Sequence, residues 1–169
     1  MDLTTRILVD VVGSLIGIFV GTLAALAADR YNERRRNRRR AKIILRSLAQ
    51  ELNENYETLR SVKPTYQSKP WGKSFYISTI SWETALSSGD LPEIIGFGLA
   101  DVISAQYALL VRIRYYVNLL TQLWFAPTEI QGYEEIRKGF RQVIVKTMNQ
   151  AMSNHSEVMR LVGSVLKDG

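Results

Sequence analysis

Residues Ile7 to Ala28 read ILVDVVGSLIGIFVGTLAALAA, 22 residues with a single charge, Asp10. As a helix rising about 1.5 Å per residue, the run reaches roughly 33 Å, enough for a hydrocarbon core of about 30 Å. A secretory signal peptide would need a basic start and a polar cleavage region. Here the start, MDLTTR, holds one acid and one base, and a dense basic run follows the apolar one. The expected organisation is therefore an uncleaved transmembrane anchor over residues 1–29. A basic juxtamembrane and cytoplasmic helix follows over 30–62, and the rest of a cytoplasmic helical bundle over 63–169.

Orientation follows from RYNERRRNRRRAK, residues 30–42. Arg30, Arg34, Arg35, Arg36, Arg38, Arg39, Arg40 and Lys42 stand there against Glu33 alone. Basic residues beside a span stay on the cytoplasmic side. This places the N-terminus outside and the C-terminal part in the cytoplasm, at a bacterial inner membrane. The whole chain carries +6. Three aspartates and one arginine give residues 1–29 a charge of −2, and the basic run holds +7. Only +1 remains for residues 43–169, which argues against nucleic acid as a partner. The run instead suits anionic lipid headgroups, at about 1 kcal/mol per basic side chain near the surface. Arg34, Arg35, Arg36, Arg38, Arg39, Arg40 and Lys42 are the expected headgroup contacts. The chain has no cysteine, in keeping with a reducing compartment.

Inside the apolar run, Gly13, Gly17 and Gly21 recur every four residues. At 100° per residue they share one arc with Asp10, Ser14, Ala25 and Ala28, while Leu8, Val12, Leu15, Ile16, Phe19, Val20, Leu23 and Leu26 lie elsewhere. Lipid does not sort residues this way. A small-residue stripe lets helix backbones approach closely, so the helix gives up intrinsic propensity for a flat packing seam. The expected oligomer or pore face is Asp10, Gly13, Ser14, Gly17, Gly21, Ala25 and Ala28. Asp10 has two readings: pairing with Arg6 near the outer interface, or a ring of carboxylates at the mouth of a cation-permeable assembly.

No proline or glycine interrupts Thr22 to Lys63. Beyond the basic run, Leu45, Leu48, Leu52, Tyr56, Leu59 and Val62 recur in three- and four-residue steps. This predicts one helix from about Thr5 to Val62, stopped by Pro64. KPTYQSKPWGKSFY, residues 63–76, reads as a loop whose Trp71, Phe75 and Tyr76 tuck against the bundle. A short helix capped by Ser78 or Thr79 should end at Gly89. Asp90, Pro92 and Glu93 form a helix-start pattern. A helix over about Gly98 to Phe125 should bury Leu99, Val102, Ile103, Leu110, Ile113, Val117, Leu120 and Trp124. Pro127 breaks it and Thr128 caps the last helix, about Glu129 to Leu166. That helix should bury Ile130, Tyr133, Ile136, Phe140, Val143, Ile144, Thr147, Ala151, Val158 and Val162. No stretch alternates with period two for long. The fold class is all-α: an N-terminal transmembrane helix continuous with an antiparallel bundle.

Catalytic chemistry is sparse. His155 is the one histidine and there is no cysteine, so a zinc site of ordinary composition is excluded and no metal site or cofactor is expected. No Walker A run or GxGxxG occurs, and GFGLAD, Gly96 to Asp101, is too short for a phosphate loop. His155 reads as a packing or surface residue rather than a triad member, and no catalytic residue is assigned.

GSLIGIFVGTLAALAADRYNERR, RAKIILRSLAQELNENYETL and SWETALSSGDL together resemble a broad set of bacterial single-span membrane proteins of uncharacterised activity. In that set a small-residue span runs into a charged helix ending in Glu and Asn, then a Trp-x-x-x-Leu-x-x-Gly-x-Leu element. Here that element is Trp82, Leu86, Gly89 and Leu91, and the likeness covers about the first 95 residues. Trp82, Leu86 and Leu91 are expected to anchor the short helix, and Gly89 to cap it. By layout alone, the plan is similar to small pore-forming membrane accessory proteins of RNA-targeting CRISPR systems, which implies a setting in phage defence. HEPN-type bundles carry an arginine a few residues before a histidine; MNQAMSN precedes His155, without one.

The expected function is thus a homo-oligomeric membrane protein acting as a pore or membrane-perturbing effector. Its partners are the anionic bilayer and further copies of itself. The alternative is a membrane-tethered adaptor whose cytoplasmic bundle binds a protein partner. An enzyme is not expected.

Overall fold

A computed structural model describes residues 3–68, 74–88, 97–125 and 132–168, with side chains from residue 17 onward except at 97 and 168. Among the described residues there are four helices and no strand: α1, Leu3–Ser68; α2, Ile80–Ser87; α3, Phe97–Trp124; and α4, Tyr133–Asp168. The chain divides into two compact units, Met1–Arg40 and Ala41–Gly169. The first is the N-terminal part of α1. The second is the bundle.

Contacts in the second unit give its topology. Phe75 meets Tyr66 edge-on at 5.8 Å, Ser78 bonds Asn55, and Ser81 meets Ser47 at 2.9 Å. Residues 74–79 and α2 therefore run back along α1. Tyr107 on α3 reaches Glu51, and Leu120 shares a cavity with Tyr66, so α3 runs parallel to α1. α4 returns antiparallel to α3, with Gln106 bonded to the Ala151 carbonyl at one end and Arg137 over Trp124 at the other. The bundle goes up, down, up, down, and its second leg is an extended segment plus a short helix.

The core follows the expected stripes closely. Leu45, Leu48, Leu52, Leu59 and Val62 of α1 are buried against Ile103, Leu110, Ile113, Val117 and Leu120 of α3 and Ile144, Thr147, Ala151, Val158 and Val162 of α4. Each large side chain removed from water contributes about 1.5–3 kcal/mol, which lets helices of ordinary propensity hold together. Leu99, Val102 and Phe140 pack on this core partly buried.

Several expectations are corrected. α1 does not stop at Val62: it passes through Pro64 and ends at Ser68, whose hydroxyl donates to the Pro64 carbonyl at 2.8 Å. Proline in a helix interior costs about 3 kcal/mol. Burial of Tyr66, one turn from Val62 and 2 % exposed, offsets that cost. Phe75 packs as expected, but Tyr76 is exposed. Thr79 holds the N-cap position of α2 without a side-chain bond to its backbone, and α2 ends at Ser87. Leu86, expected to anchor the helix, is 52 % exposed. Trp124, Ile136 and Val143, expected inside, are substantially exposed. They lie at the margins of their stripes, and three long helices plus one short leg do not cover that width.

α4 begins at Tyr133 rather than Glu129, preceded by Gly132 at φ 82°. Glycine takes this left-handed turn without the Cβ clash other residues meet, and the Gly132 carbonyl then accepts from the Ile136 N–H. Trp71, Gly89, Asp90, Leu91, Pro92, Glu93, Gly96, Pro127, Thr128, Glu129 and Ile130 lie outside the described residues.

Candidate functional site

Of the small-residue face, Asp10, Gly13 and Ser14 lie in helical backbone, but their side chains are outside the described residues. Gly17, Gly21, Ala25 and Ala28 are exposed, and a Cβ added at Gly17 or Gly21 meets nothing within 4 Å. Ile18, Phe19, Val20, Leu23 and Leu26 are each more than half exposed. The described part of the apolar run is thus a helix whose large apolar side chains and small-residue face have no cover within their own unit. Among the described residues, no helix is long and apolar enough to cross a membrane. Residues 7–16 of the run are among those whose side chains are not described, so 17–28 alone do not carry a span.

Arg34, Arg35, Arg36, Arg38, Arg39 and Arg40 are all exposed, while Lys42, in the bundle unit, is half-buried. Asp29, Asn32, Glu33, Arg36, Asn37 and Arg40 border one polar groove along α1. Their three- and four-residue spacing puts them on a single helix face. The remaining arginines point elsewhere around the helix, so the basic run presents charge around the helix.

The bundle contains a polar cluster that periodicity did not reveal. Glu51, 5 % exposed, accepts from the Tyr107 hydroxyl at 2.6 Å, the Ser78 hydroxyl at 2.7 Å and the Ser81 N–H at 2.9 Å. The Trp82 backbone N–H also donates to it. Ser81 and Trp82 are the second and third residues of α2, so a carboxylate from α1 supplies the N-terminal cap that Thr79 does not. Burial pushes the Glu51 carboxyl up, but the donors around it outweigh burial and hold it below the usual carboxylate range. Beside it, the Asn55 amide donates to the Ser78 carbonyl at 2.8 Å and accepts from the Ser78 N–H at 2.9 Å. This two-way pairing satisfies backbone that has no ladder or helix partner. Trp82 stacks on the Tyr107 ring at 4.9 Å. Thr79 donates to Glu83 at 2.6 Å and accepts from Arg114 at 2.9 Å, tying α2 to α3. Glu51, Asn55 and Trp82 together clamp residues 78–82 between α1 and α3. The signal available in the sequence was Glu51 lying between Leu48 and Leu52 on the buried stripe.

His155 is buried, stacked on Tyr56 at 4.3 Å, with Nε2 3.0 Å from Asn53 Oδ1. With that oxygen as acceptor, Nε2 carries the proton, and the buried Nδ1 has no partner. Burial lowers its pKa and the Glu57 charge opposes this less strongly, so the ring is held neutral. A folded-state pKa below the unfolded value means the unfolded chain takes up the proton first. Stability is therefore complete above about pH 6.5 and declines as pH falls below it. Denaturation followed by circular dichroism should show this decline, and His155→Phe should flatten it between about pH 7 and about pH 5.5. Among the described residues no group of His, Asp or Glu could hold a metal ion. Comparison with protein-family models, with curated proteins and with solved structures finds no match.

Proposed function

We propose that the chain is a homo-oligomeric, single-span membrane protein that permeates or perturbs the bilayer. Residues 7–28 cross the membrane with the N-terminus outside, and copies pack along Asp10, Gly13, Ser14, Gly17, Gly21, Ala25 and Ala28. The exposed arginines meet anionic headgroups at the cytoplasmic leaflet, and Lys42 adds to them from the bundle's edge. Phage defence is the setting its layout likeness suggests. The observation that carries this reading is the open small-residue face at Gly17 and Gly21, flanked by more-than-half-exposed Ile18, Phe19, Val20, Leu23 and Leu26. Such a face suits close helix packing in lipid, where large side chains face acyl chains and glycines face a neighbour.

Gly17→Leu tests it cleanly. A Cβ added there meets nothing within 4 Å, so a loss of assembly reports packing between copies. Native mass spectrometry of detergent-purified protein should give a ring of five or more subunits. Gly17→Leu should abolish that ring, together with ion leak from liposomes. A ring that survives this substitution would overturn the proposal. An adaptor reading draws on the partly exposed Val111, Tyr115, Ile136 and Val143 of α3 and α4, which offer apolar surface to a protein partner. It expects function to survive replacement of Ile7 to Ala28 by an unrelated span.

A further inference from the structure

On the outer side of the bundle, between α3 and α4, Tyr116, Ile136, Gly139, Phe140, Val143 and Lys146 border an apolar groove of about 610 Å³. The Tyr116 and Phe140 rings, 5.9 Å apart, make one wall. A Cβ added at Gly139 meets nothing within 4 Å, and Ile136 and Val143 are partly exposed, so the groove is open. A large side chain stands out elsewhere on the bundle. Residues 74–79 are extended, so successive side chains alternate in direction. Phe75, Ile77 and Thr79 turn toward the core, and Tyr76 between them points outward, 67 % exposed.

The two features lie on different sides at one level. The leg that carries Tyr76 rests on α1 through Asn55 and on α3 through Arg114. α4 rests on the same two helices, with His155 against Tyr56 and Phe140 against Tyr116. The leg and α4 therefore flank the α1–α3 pair from opposite sides. Phe75 packs on Tyr66, and Tyr66 shares a hollow with Gln142, Val145 and Lys146 of α4, so Tyr76 and the groove stand level along the bundle.

We propose that Tyr76 of one copy seats in the α3–α4 groove of the next, joining the bundles head to tail. This contact presupposes the homo-oligomer proposed above and adds a second surface, in the bundle, at which copies meet. A knob and a groove on different sides of one chain make a heterologous contact, and such contacts form a ring when the rotation closes. A shared level removes the axial step that would make the assembly climb as a filament. Charge favours the same occupant. Lys146 is the one charged residue bordering the groove among the described residues. Glu54 and Glu57 are exposed on α1 on either side of Asn55, where the leg rests. Glu57 already meets Arg60 at 3.8 Å, whereas Glu54 accepts from the neutral Gln50 amide at 2.9 Å and keeps its charge uncompensated there. An acidic flank thus approaches a basic rim. Tyrosine suits the seat, because its ring enters apolar walls while its hydroxyl stays at the polar edge.

The test places the photoreactive residue benzoyl-phenylalanine at position 76 of the full chain, in cells, which keeps an aromatic knob there. Irradiation should give a ladder of covalent multimers on a denaturing gel. Mass spectrometry should map the new bond to Tyr116 or to residues 139–146 of a second copy. Val143→Arg, which puts a charge in the groove, should lower the yield of multimers at least about tenfold. Val143 is partly exposed, so that variant should keep the bundle's thermal melt. Absence of multimers, a bond to another surface or to a different protein, or an undiminished ladder in Val143→Arg would each overturn the contact. Native mass spectrometry separates the two levels of the reading. A ring without this cross-link removes the contact alone; a wild-type chain that forms no ring removes the homo-oligomer and the contact with it.

Discussion

Replacing Glu51 with alanine is expected to destabilise the bundle by about 3 kcal/mol or more, the largest effect of any single polar substitution in it. Four donors converge on this carboxylate: the hydroxyls of Tyr107 and Ser78 and the backbone N–H groups of Ser81 and Trp82. Truncation leaves them unmet inside the protein and uncaps α2. Glu51→Gln keeps an acceptor oxygen and should lose less. The pH dependence separates charge from shape. The folded-state pKa of Glu51 lies below its usual 4.5, so its ionic contribution is present above about pH 4.5 and is lost as pH falls through the folded value. The gap between wild type and Glu51→Gln in urea denaturation should be wide at neutral pH and narrow in acid. A gap that stays constant with pH would refute the charged cap.

The second large effect separates two residues of one motif. Trp82→Ala should cost about 3–5 kcal/mol, because the indole is buried, stacks on Tyr107 and sits where the Glu51 cap begins α2. Leu86→Ala, four residues on, should change stability by no more than about 0.5 kcal/mol, since Leu86 is half exposed. Thermal melts of the two variants decide the matter. Equal losses would mean that Leu86 is held by packing and that the clamp is not centred on Trp82.

Tyr107 shows why such a site is hard to read from a chain. It was not among the residues expected inside α3, yet it is core, and it also delivers a hydroxyl to a carboxylate 56 residues earlier. Burial and the adjacent Glu51 carboxylate raise its own pKa, so it remains a donor throughout the ordinary pH range. Glu51, Asn55 and Gln106 are of residue types that mostly stay in solvent. Each is buried because its partner arrives from another helix or segment. Arg137 was equally silent. An arginine in the first turns of a helix looks like surface until Trp124 and Tyr133 are seen to enclose it.

Local regularities settled much of this protein. A 3.6-residue period at Leu45, Leu48, Leu52, Leu59 and Val62, and its counterparts at Ile103–Leu120 and Ile144–Val162, named the all-α class and most of the core, because the helix repeat is a property of the backbone alone. The small-residue spacing at Gly17 and Gly21 and the arginine run were likewise legible without a fold. What needed the tertiary structure was every outcome in which packing outweighs a local rule. α1 continues through Pro64 because burial of Tyr66 offsets a missing hydrogen bond. α2 takes its cap from Glu51 rather than from Thr79. Trp124, Ile136 and Val143 stay partly in solvent because the neighbouring helices cover only part of the width of their stripes. Periodicity says which side of a helix is apolar. How much of that side is covered, and by what, depends on where the other helices lie.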